Sequence, residues 1–309
     1  MKKLLSVLLL SCVCTGQSRP PQSGAEVFPT LASNSTTRRW GTQAQSNSGP
    51  GAVAAPPAPD TNAPVQNAPA QEPTSQKARQ LLDQMVAALG GQAWLTYRTS
   101  EQQGRRYSFY QGRPTSAGTL YWRFYEYPDK DRLELTKQRD VVYIYNGNKG
   151  YEKTYKGTAA DEDKNVQEVI RRRQHLLEVV LREWMKDPKT ILFYDGQSVA
   201  DQQMVDVVTI LNKNNDQLSI GIDIHTHLPI NKRYSWRDPD KYKVEDETIY
   251  GNYRNVQGIE TPFTVTSKRD GEINGQSFLT HAEYNTTFAP GFFDAQVTYN
   301  PETYNPKAK

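Results

Sequence analysis

The chain has 309 residues, with 37 lysines and arginines against 34 aspartates and glutamates, and a formal net charge of +3. A nearly neutral chain lacks the concentrated positive charge of nucleic-acid binding proteins, so nucleic acid is not an expected partner. Both cysteines, Cys12 and Cys14, lie near the N-terminus, which excludes a disulfide framework from the part of the chain that folds.

The N-terminus has the pattern of a secretory signal peptide. Two lysines precede a mostly apolar run, Leu4–Leu10, that is too short to cross a bilayer, so residues 1–16 are predicted to direct export. Two processing routes stay open. The run Leu9-Leu10-Ser11-Cys12 resembles the bacterial lipobox, in which the cysteine is lipidated, whereas ordinary cleavage would follow Gly16. We therefore expect a periplasmic protein, tethered to the outer membrane if Cys12 carries lipid.

Residues 17–75 are predicted to form a disordered tether. From residue 18 this segment contains ten of the 19 prolines and only four leucine, isoleucine or valine residues. Such a composition cannot bury enough apolar surface to offset the entropy lost on ordering. The folded domain is therefore predicted to span 76–296, which is long enough for a sizeable core, and a loose polar tail is predicted at 297–309.

The predicted domain begins with a helix and continues with short strands. Apolar residues recur at helical spacing between Ala78 and Leu89, and Gly90-Gly91 supplies the stop. Strand-like runs then occupy 104–111, 118–127, 131–137, 140–146 and 149–155. Their short length, their aromatic content and the turn Gly147-Asn148 are typical of an antiparallel sheet.

The run 118–127 carries aromatic rings on both of its faces. Alternation places Trp122 and Phe124 on one face, and Tyr121, Arg123 and Tyr125 on the other. A strand of this kind is either covered on both sides or has one face that lines a cavity.

A long amphipathic helix is predicted from Asp161 to Asp187, where Asp187-Pro188 ends it. Its apolar stripe consists of Val166, Val169, Ile170, Leu177, Val180, Leu181 and Trp184. The run Arg171-Arg172-Arg173 would suit nucleic acid or anionic lipid, but a solvated helix face with glutamate partners is favoured.

Strands resume after this helix and complete an α+β fold. They are predicted at 190–195, 197–201, 204–213, in a meander over 205–269 and at 276–288. In the meander, Leu218, Ile220, Ile222 and Ile224 take every second position, as a half-buried strand requires. Because helices do not alternate with strands, the sheet is predicted to be antiparallel, and about eleven strands tend to curl.

Few residues suggest catalysis. His225 and His227 would lie on one side of a strand with Asp223, a geometry that metals can use, but surface residues at a strand end are favoured. The sequence contains no Gly-x-Ser-x-Gly nucleophile motif and no glycine-rich phosphate loop. We therefore expect neither enzyme activity nor a bound metal or cofactor.

Several turn motifs resemble those of the outer-membrane lipoprotein-sorting-like proteins, the group of the Lol carrier and acceptor and of periplasmic sigma-regulator sensor domains. The motifs are Gly90-Gly91, Tyr127-Pro128-Asp129-Lys130, Asp223–Pro229, Asn252-Tyr253-Arg254, Gly258–Pro262, and Phe288-Ala289-Pro290 before Phe292-Phe293-Asp294. The resemblance covers roughly 76–295. It implies a strongly curved, unclosed antiparallel sheet, a half-barrel whose concave face is covered by helices, with an apolar cavity for acyl chains and no catalysis. The resemblance does not place the family's ligand-gating arginine, for which Arg105, Arg106, Arg123 and Arg132 are all candidates.

The leading hypothesis is thus a non-catalytic binding protein for lipid or lipoprotein acyl chains. Its cavity is predicted to be lined by Trp122, Phe124, Ile220, Ile222, Leu177, Val180, Leu181 and Trp184. One alternative is an envelope sensor or protein-interaction module of the same fold, whose partner is another envelope protein. A second alternative is a metal-dependent hydrolase that uses His225 and His227.

Overall fold

The structure is a computed structural model that describes residues 72–115 and 117–303. The predicted signal peptide, Cys12 and nearly all of the predicted tether lie outside these residues, as do the last residues of the predicted tail. Within the described ranges, no helix is both long enough and apolar enough to cross a membrane.

Helix α1, Glu72–Leu89, opens the domain and is followed by the short helix α2, Gln92–Thr96. The α1 residues that face the core are 0–3% exposed: Ala78, Leu81, Leu82, Met85 and Leu89. Gly90 and Gly91 have φ values of 122° and 56°, and the Gly91 N–H donates to the Val86 carbonyl over 2.8 Å. The predicted first helix and its glycine stop are therefore confirmed.

Within residues 72–115 and 117–303, fourteen antiparallel strands form one sheet, which confirms the predicted α+β class with more strands than the eleven or so predicted. The first half of the chain contributes β1 Thr99–Tyr110, β2 Arg113–Pro114, β3 Thr119–Glu126, β4 Lys130–Leu135, β5 Val141–Asn146, β6 Lys149–Thr154 and β7 Gly157–Ala160. The second half contributes β8 Ile191–Ala200, β9 Gln203–Leu211, β10 Gln217–Asp223, β11 Pro229–Arg237, β12 Lys243–Val256, β13 Ile259–Arg269 and β14 Glu272–Tyr284.

The strand order is β7-β6-β5-β4-β3-β1-β14-β13-β12-β11-β10-β9-β8, and the short β2 pairs with β1. Two meanders are thus joined where β1 pairs with β14. The edges of the sheet in the described part of the chain are β7 and β8, so the sheet is not closed into a barrel. The runs predicted separately at 190–195 and 197–201 form the single strand β8, because its register shifts between Tyr194 and Gly196 without ending the pairing.

The prediction of one continuous helix from 161 to 187 is wrong. The structure has α3, Asp163–Gln174, then α4, Leu177–Arg182, and a 3-10 turn at Trp184–Lys186. The break occurs at His175, whose ring stacks on Tyr234 at 3.8 Å and 7°. Leu176 then takes an extended conformation. The apolar spacing continues across this break, so spacing alone did not reveal it.

The sheet curves around α3. The Arg173 guanidinium at the end of α3 donates to the Asp129 and Gly147 carbonyls, in the β3–β4 and β5–β6 turns, over 2.8 Å each. On the same helix, Glu168 accepts a hydrogen bond from Arg269 of β13 at 3.2 Å. In a flat sheet, β5 and β13 would lie about 24 Å apart at ~4.8 Å per strand. A helix only about 10–12 Å wide reaches both because the sheet bends around it.

The main core lies between α1, α4 and the β8–β10 end of the sheet. Leu218, Ile220 and Ile222 of β10 are 0% exposed there, as is Val180 of α4. A smaller cluster packs Val166 of α3 against tyrosines and leucines of β3–β5. The helices therefore cover one face of the sheet at two places. Between these two clusters, space remains between the helices and the sheet.

Candidate functional site

A cavity of about 450 Å³ lies between the sheet and helices α2, α3 and α4. Its wall is built from residues of eight neighbouring strands, β5 to β11 in the sheet order. On β1, β3, β4 and β5 these residues alternate along the strand, because only one face of each strand points toward the helices. A second depression follows α1 from Ser75 to Ala87, but all residues that line it belong to that one helix. We therefore place the candidate site in the cavity between helices and sheet.

The cavity has a mixed lining, unlike the apolar cavity that the family resemblance implied. Seven cationic and five anionic side chains contribute to it. Apolar surface comes from Leu133, Leu135, Val169, Leu176, Leu177, Val265 and Leu279, among others. Nine tyrosines complete the wall: Tyr97, Tyr121, Tyr125, Tyr143, Tyr145, Tyr234, Tyr250, Tyr253 and Tyr284.

The tyrosine hydroxyls are mostly held by the protein itself. Tyr97 donates to Glu178 over 2.6 Å, Tyr143 to Glu152 over 2.8 Å, and Tyr253 to the Pro229 carbonyl over 2.6 Å. Burial raises the pKa of these three phenols above the ordinary value, so they stay protonated at neutral pH. With their polar ends fixed, the rings present apolar surface to the cavity.

Most cations of the lining have a carboxylate partner. The Arg123 guanidinium contacts Asp131 at 2.6 Å, and Arg269 contacts Asp246 at 2.7 Å and Glu168 at 3.2 Å. The Asp131 carboxylate raises the pKa of Arg123 further above its ordinary value, so the guanidinium stays charged. These pairs fix the charged groups in place and leave the surface between them to a ligand.

Lys232 of β11 differs from these paired cations. Its side chain is in the cavity wall and only 4% exposed, and its Nζ donates to the backbone carbonyl of His175. Burial lowers the pKa of Lys232 to about 8, against an attraction to Glu178 that acts in the opposite direction. No pattern in the sequence distinguishes this lysine from the others.

Of the eight residues predicted to line the cavity, only Leu177 does so. Ile220, Ile222, Val180 and Leu181 belong to the filled main core, with Trp184 packed against it. Trp122 and Phe124 lie on the opposite face of β3, where Phe124 contacts Phe292 at 5.0 Å between ring centroids. Alternation assigned the residues of β3 to its two faces correctly. Because both faces carry aromatic rings, their aromatic content did not indicate which face points toward the cavity.

The structure brings Tyr121, Arg123 and Tyr125 into the cavity instead. Of the four arginines considered from the resemblance, Arg106 and Arg123 line it, whereas Arg105 and Arg132 do not. A signal for the correct face was present in the sequence. Arg123 shares its face with two tyrosines, and a polar face with rings fits a ligand-lined wall better than a packed core.

The histidines of the metal hypothesis do not lie along a strand, which corrects that prediction. They follow β10 in a tight turn in which His227 has φ 58°. The Asp223 carboxylate accepts hydrogen bonds from the His225 and Thr226 N–H groups at 3.1 and 2.7 Å, so it stabilises the turn. Within 72–115 and 117–303, no three histidine, cysteine or acidic residues form a group that could hold a metal ion.

No protein-family model and no curated protein matches the chain. Among solved structures, a DUF1329 family protein from Desulfovibrio piger has a TM-score of 0.49 at 10% identity, over 70% of this chain and 97% of that one. An outer membrane lipoprotein-sorting protein domain from Vibrio parahaemolyticus, described as putative, has a TM-score of 0.47 at 10% identity, over 71% and 97%. A LolA superfamily protein from Nitrosomonas europaea has a TM-score of 0.42 at 8% identity, over 68% and 94%. Solved structures similar to this chain thus include members of the group that the sequence resembles.

Proposed function

We propose that this is a non-catalytic binding protein whose cavity holds an amphiphile with an acyl chain, such as a lipid or the acylated end of a lipoprotein. The observation that carries the proposal is the cavity itself. Its volume of about 450 Å³ lies within the ~300–1,000 Å³ typical of small-molecule sites. Rings and aliphatic side chains offer surface for a chain, and the charged groups between them offer contacts for a polar head.

The protein is proposed to act outside the cytoplasm. The signal-like N-terminus at 1–16 supports export, and lipidation of Cys12 would place the domain beside a membrane that contains acyl ligands. The proline-rich segment 17–75 would then hold the domain away from the membrane surface. An envelope protein that presents an acylated segment is a partner consistent with this arrangement.

Filling the cavity should abolish binding. Val265 of β13 lies opposite Tyr250 and Ser277, which also line the cavity, so Val265→Trp would place an indole inside it. We expect this variant to bind a fluorescent fatty acid at least tenfold more weakly than the parent, because the ring occupies the space of the chain. Fluorescence titration with each purified protein measures the change.

Thr264→Trp is the matched control. Thr264 is the preceding residue of β13 and points to the other face of the sheet, opposite Gly251 and Phe278. The control should bind like the parent. Equal affinity in the parent and both variants would place the ligand elsewhere, and an absence of binding by the parent would favour a sensor or protein-interaction module.

A further inference from the structure

Lys232 occupies an otherwise apolar row on β11. Ile230, Lys232 and Tyr234 point to the same face and are each 4–5% exposed. Across the sheet, Lys232 lies opposite Ile220 of β10 and Thr248 of β12. A lysine so deeply buried among apolar residues is unusual, because moving its charge out of water costs free energy unless the charge is compensated.

The compensation that the protein supplies is incomplete. An ammonium group has three N–H donors, and one of them donates to the His175 carbonyl. Among the described residues, no carboxylate lies within 4.0 Å of the Lys232 Nζ, whereas Arg123, Lys268 and Arg269 in the same wall each have one. Donors of Lys232 therefore remain for a group that enters the cavity.

The charged groups around Lys232 leave it mostly protonated at neutral pH. Burial lowers its pKa to about 8, with Arg123 of β3 acting in the same direction and Glu178 of α4 and Asp246 of β12 opposing it. An oxyanion at the remaining donors would replace lost hydration with charge-assisted hydrogen bonds.

We propose that Lys232 binds the oxyanion of the ligand's polar head, a carboxylate or a phosphate, inside the cavity. This inference rests on the proposed function, since it names the part of the amphiphile that the protein recognises. The competing role is structural. The His175 carbonyl ends α3 without a partner inside the helix, and a lysine that does nothing else could still stabilise that helix end.

A paired binding experiment separates the two roles. A fluorescent fatty acid and its methyl ester, which has the same chain without the charge, are titrated into the parent, Lys232→Met and Arg233→Met. Arg233 is the matched control because it is the next residue of β11, is exposed, points to the other face of the sheet and is not part of the cavity wall. We expect the parent and Arg233→Met to prefer the acid by at least tenfold, equivalent to 1.4 kcal/mol, and Lys232→Met to lose this preference.

Each outcome is decisive. If the parent binds acid and ester equally, or if Lys232→Met keeps the preference, Lys232 has only its structural role and the proposal is wrong, although the cavity still binds amphiphiles. If the parent binds neither compound, the proposed function itself fails. A lysophosphatidic acid that competes better than the fatty acid identifies a phosphate head. If inorganic phosphate competes as well as the lysophosphatidic acid and the fatty acid do, the site binds a free anion, and the proposal that its ligand is an amphiphile is wrong.

The pH dependence supplies a second readout. Between pH 7 and pH 9, Lys232 should lose its proton in the free protein, so the affinity for the fatty acid should fall while that for the ester stays constant. Burial holds the pKa of the neighbouring Tyr234 and Tyr250 above the ordinary value, so these phenols do not titrate in that range. A flat acid-to-ester ratio across this range would contradict the assignment.

Discussion

Replacing Arg182 with alanine is expected to lower the free energy of unfolding by about 2–5 kcal/mol. Arg182 of α4 is 7% exposed and donates to the backbone carbonyls of Trp94 and Tyr97, the latter over 2.8 Å. Its guanidinium also lies 4.4 Å from the ring centroid of Tyr97 and 4.9 Å from that of Tyr127. The change would leave two carbonyls without partners and remove both ring contacts, which together hold α4 over the sheet.

Denaturant unfolding of the parent, Arg182→Ala and Arg98→Ala provides the measurement. Arg98 is the control because its guanidinium also lies over the Tyr127 ring, at 5.5 Å, but its side chain is exposed. An exposed cation–π contact contributes about 0.5–1 kcal/mol, so Arg98→Ala should cost no more than that. Similar small losses in both variants would mean that α4 is not held by Arg182.

Gly90→Ala is expected to cost about 2–5 kcal/mol through two effects on the end of α1. Gly90 has φ 122°, which side-chain-bearing residues rarely adopt. A Cβ atom there would also lie 2.3 Å from the Gly258 carbonyl oxygen, in the β12–β13 turn. The backbone of that turn cannot yield as a flexible side chain would, so the helix end and the turn must separate.

The neighbouring glycine isolates the steric part of this effect. Gly91 has φ 56°, and a Cβ atom there would meet nothing within 4 Å, so Gly91→Ala should cost only about 1–2 kcal/mol. Thermal unfolding of both variants compares them directly. If Gly91→Ala were as damaging as Gly90→Ala, the close approach between α1 and the β12–β13 turn would not determine stability.

The strands and turns were accessible from sequence because their signals are local. The alternation of Leu218, Ile220, Ile222 and Ile224 predicted β10. The structure buries the first three completely, whereas Ile224 lies in the turn after the strand ends at Asp223. Gly147-Asn148 predicted a hairpin turn, and in the structure Gly147 has φ 60° between the paired strands β5 and β6. Each of these features depends on residues within a few positions of one another, so a single sequence contains the information.

The cavity depends on distant residues and could not be located in this way. Ile220 and Ile222 are as apolar as a ligand site requires, but they belong to a filled core cluster to which α1, more than 130 residues earlier, also contributes. His175 breaks the predicted helix through its stacking on Tyr234, which lies 59 positions away. Lys232 is an ordinary polar residue in the sequence, and its isolation from carboxylates depends on which strands surround it.

The central claim, that the cavity holds an amphiphile, is tested most directly by native mass spectrometry of the protein purified from membrane extracts. We expect the parent to retain one acyl-chain ligand per chain, released as a lipid or fatty acid on activation in the gas phase, and Val265→Trp to be found without it. A parent protein that carries no such ligand, and that acquires none when lipid extract is added, would contradict the account.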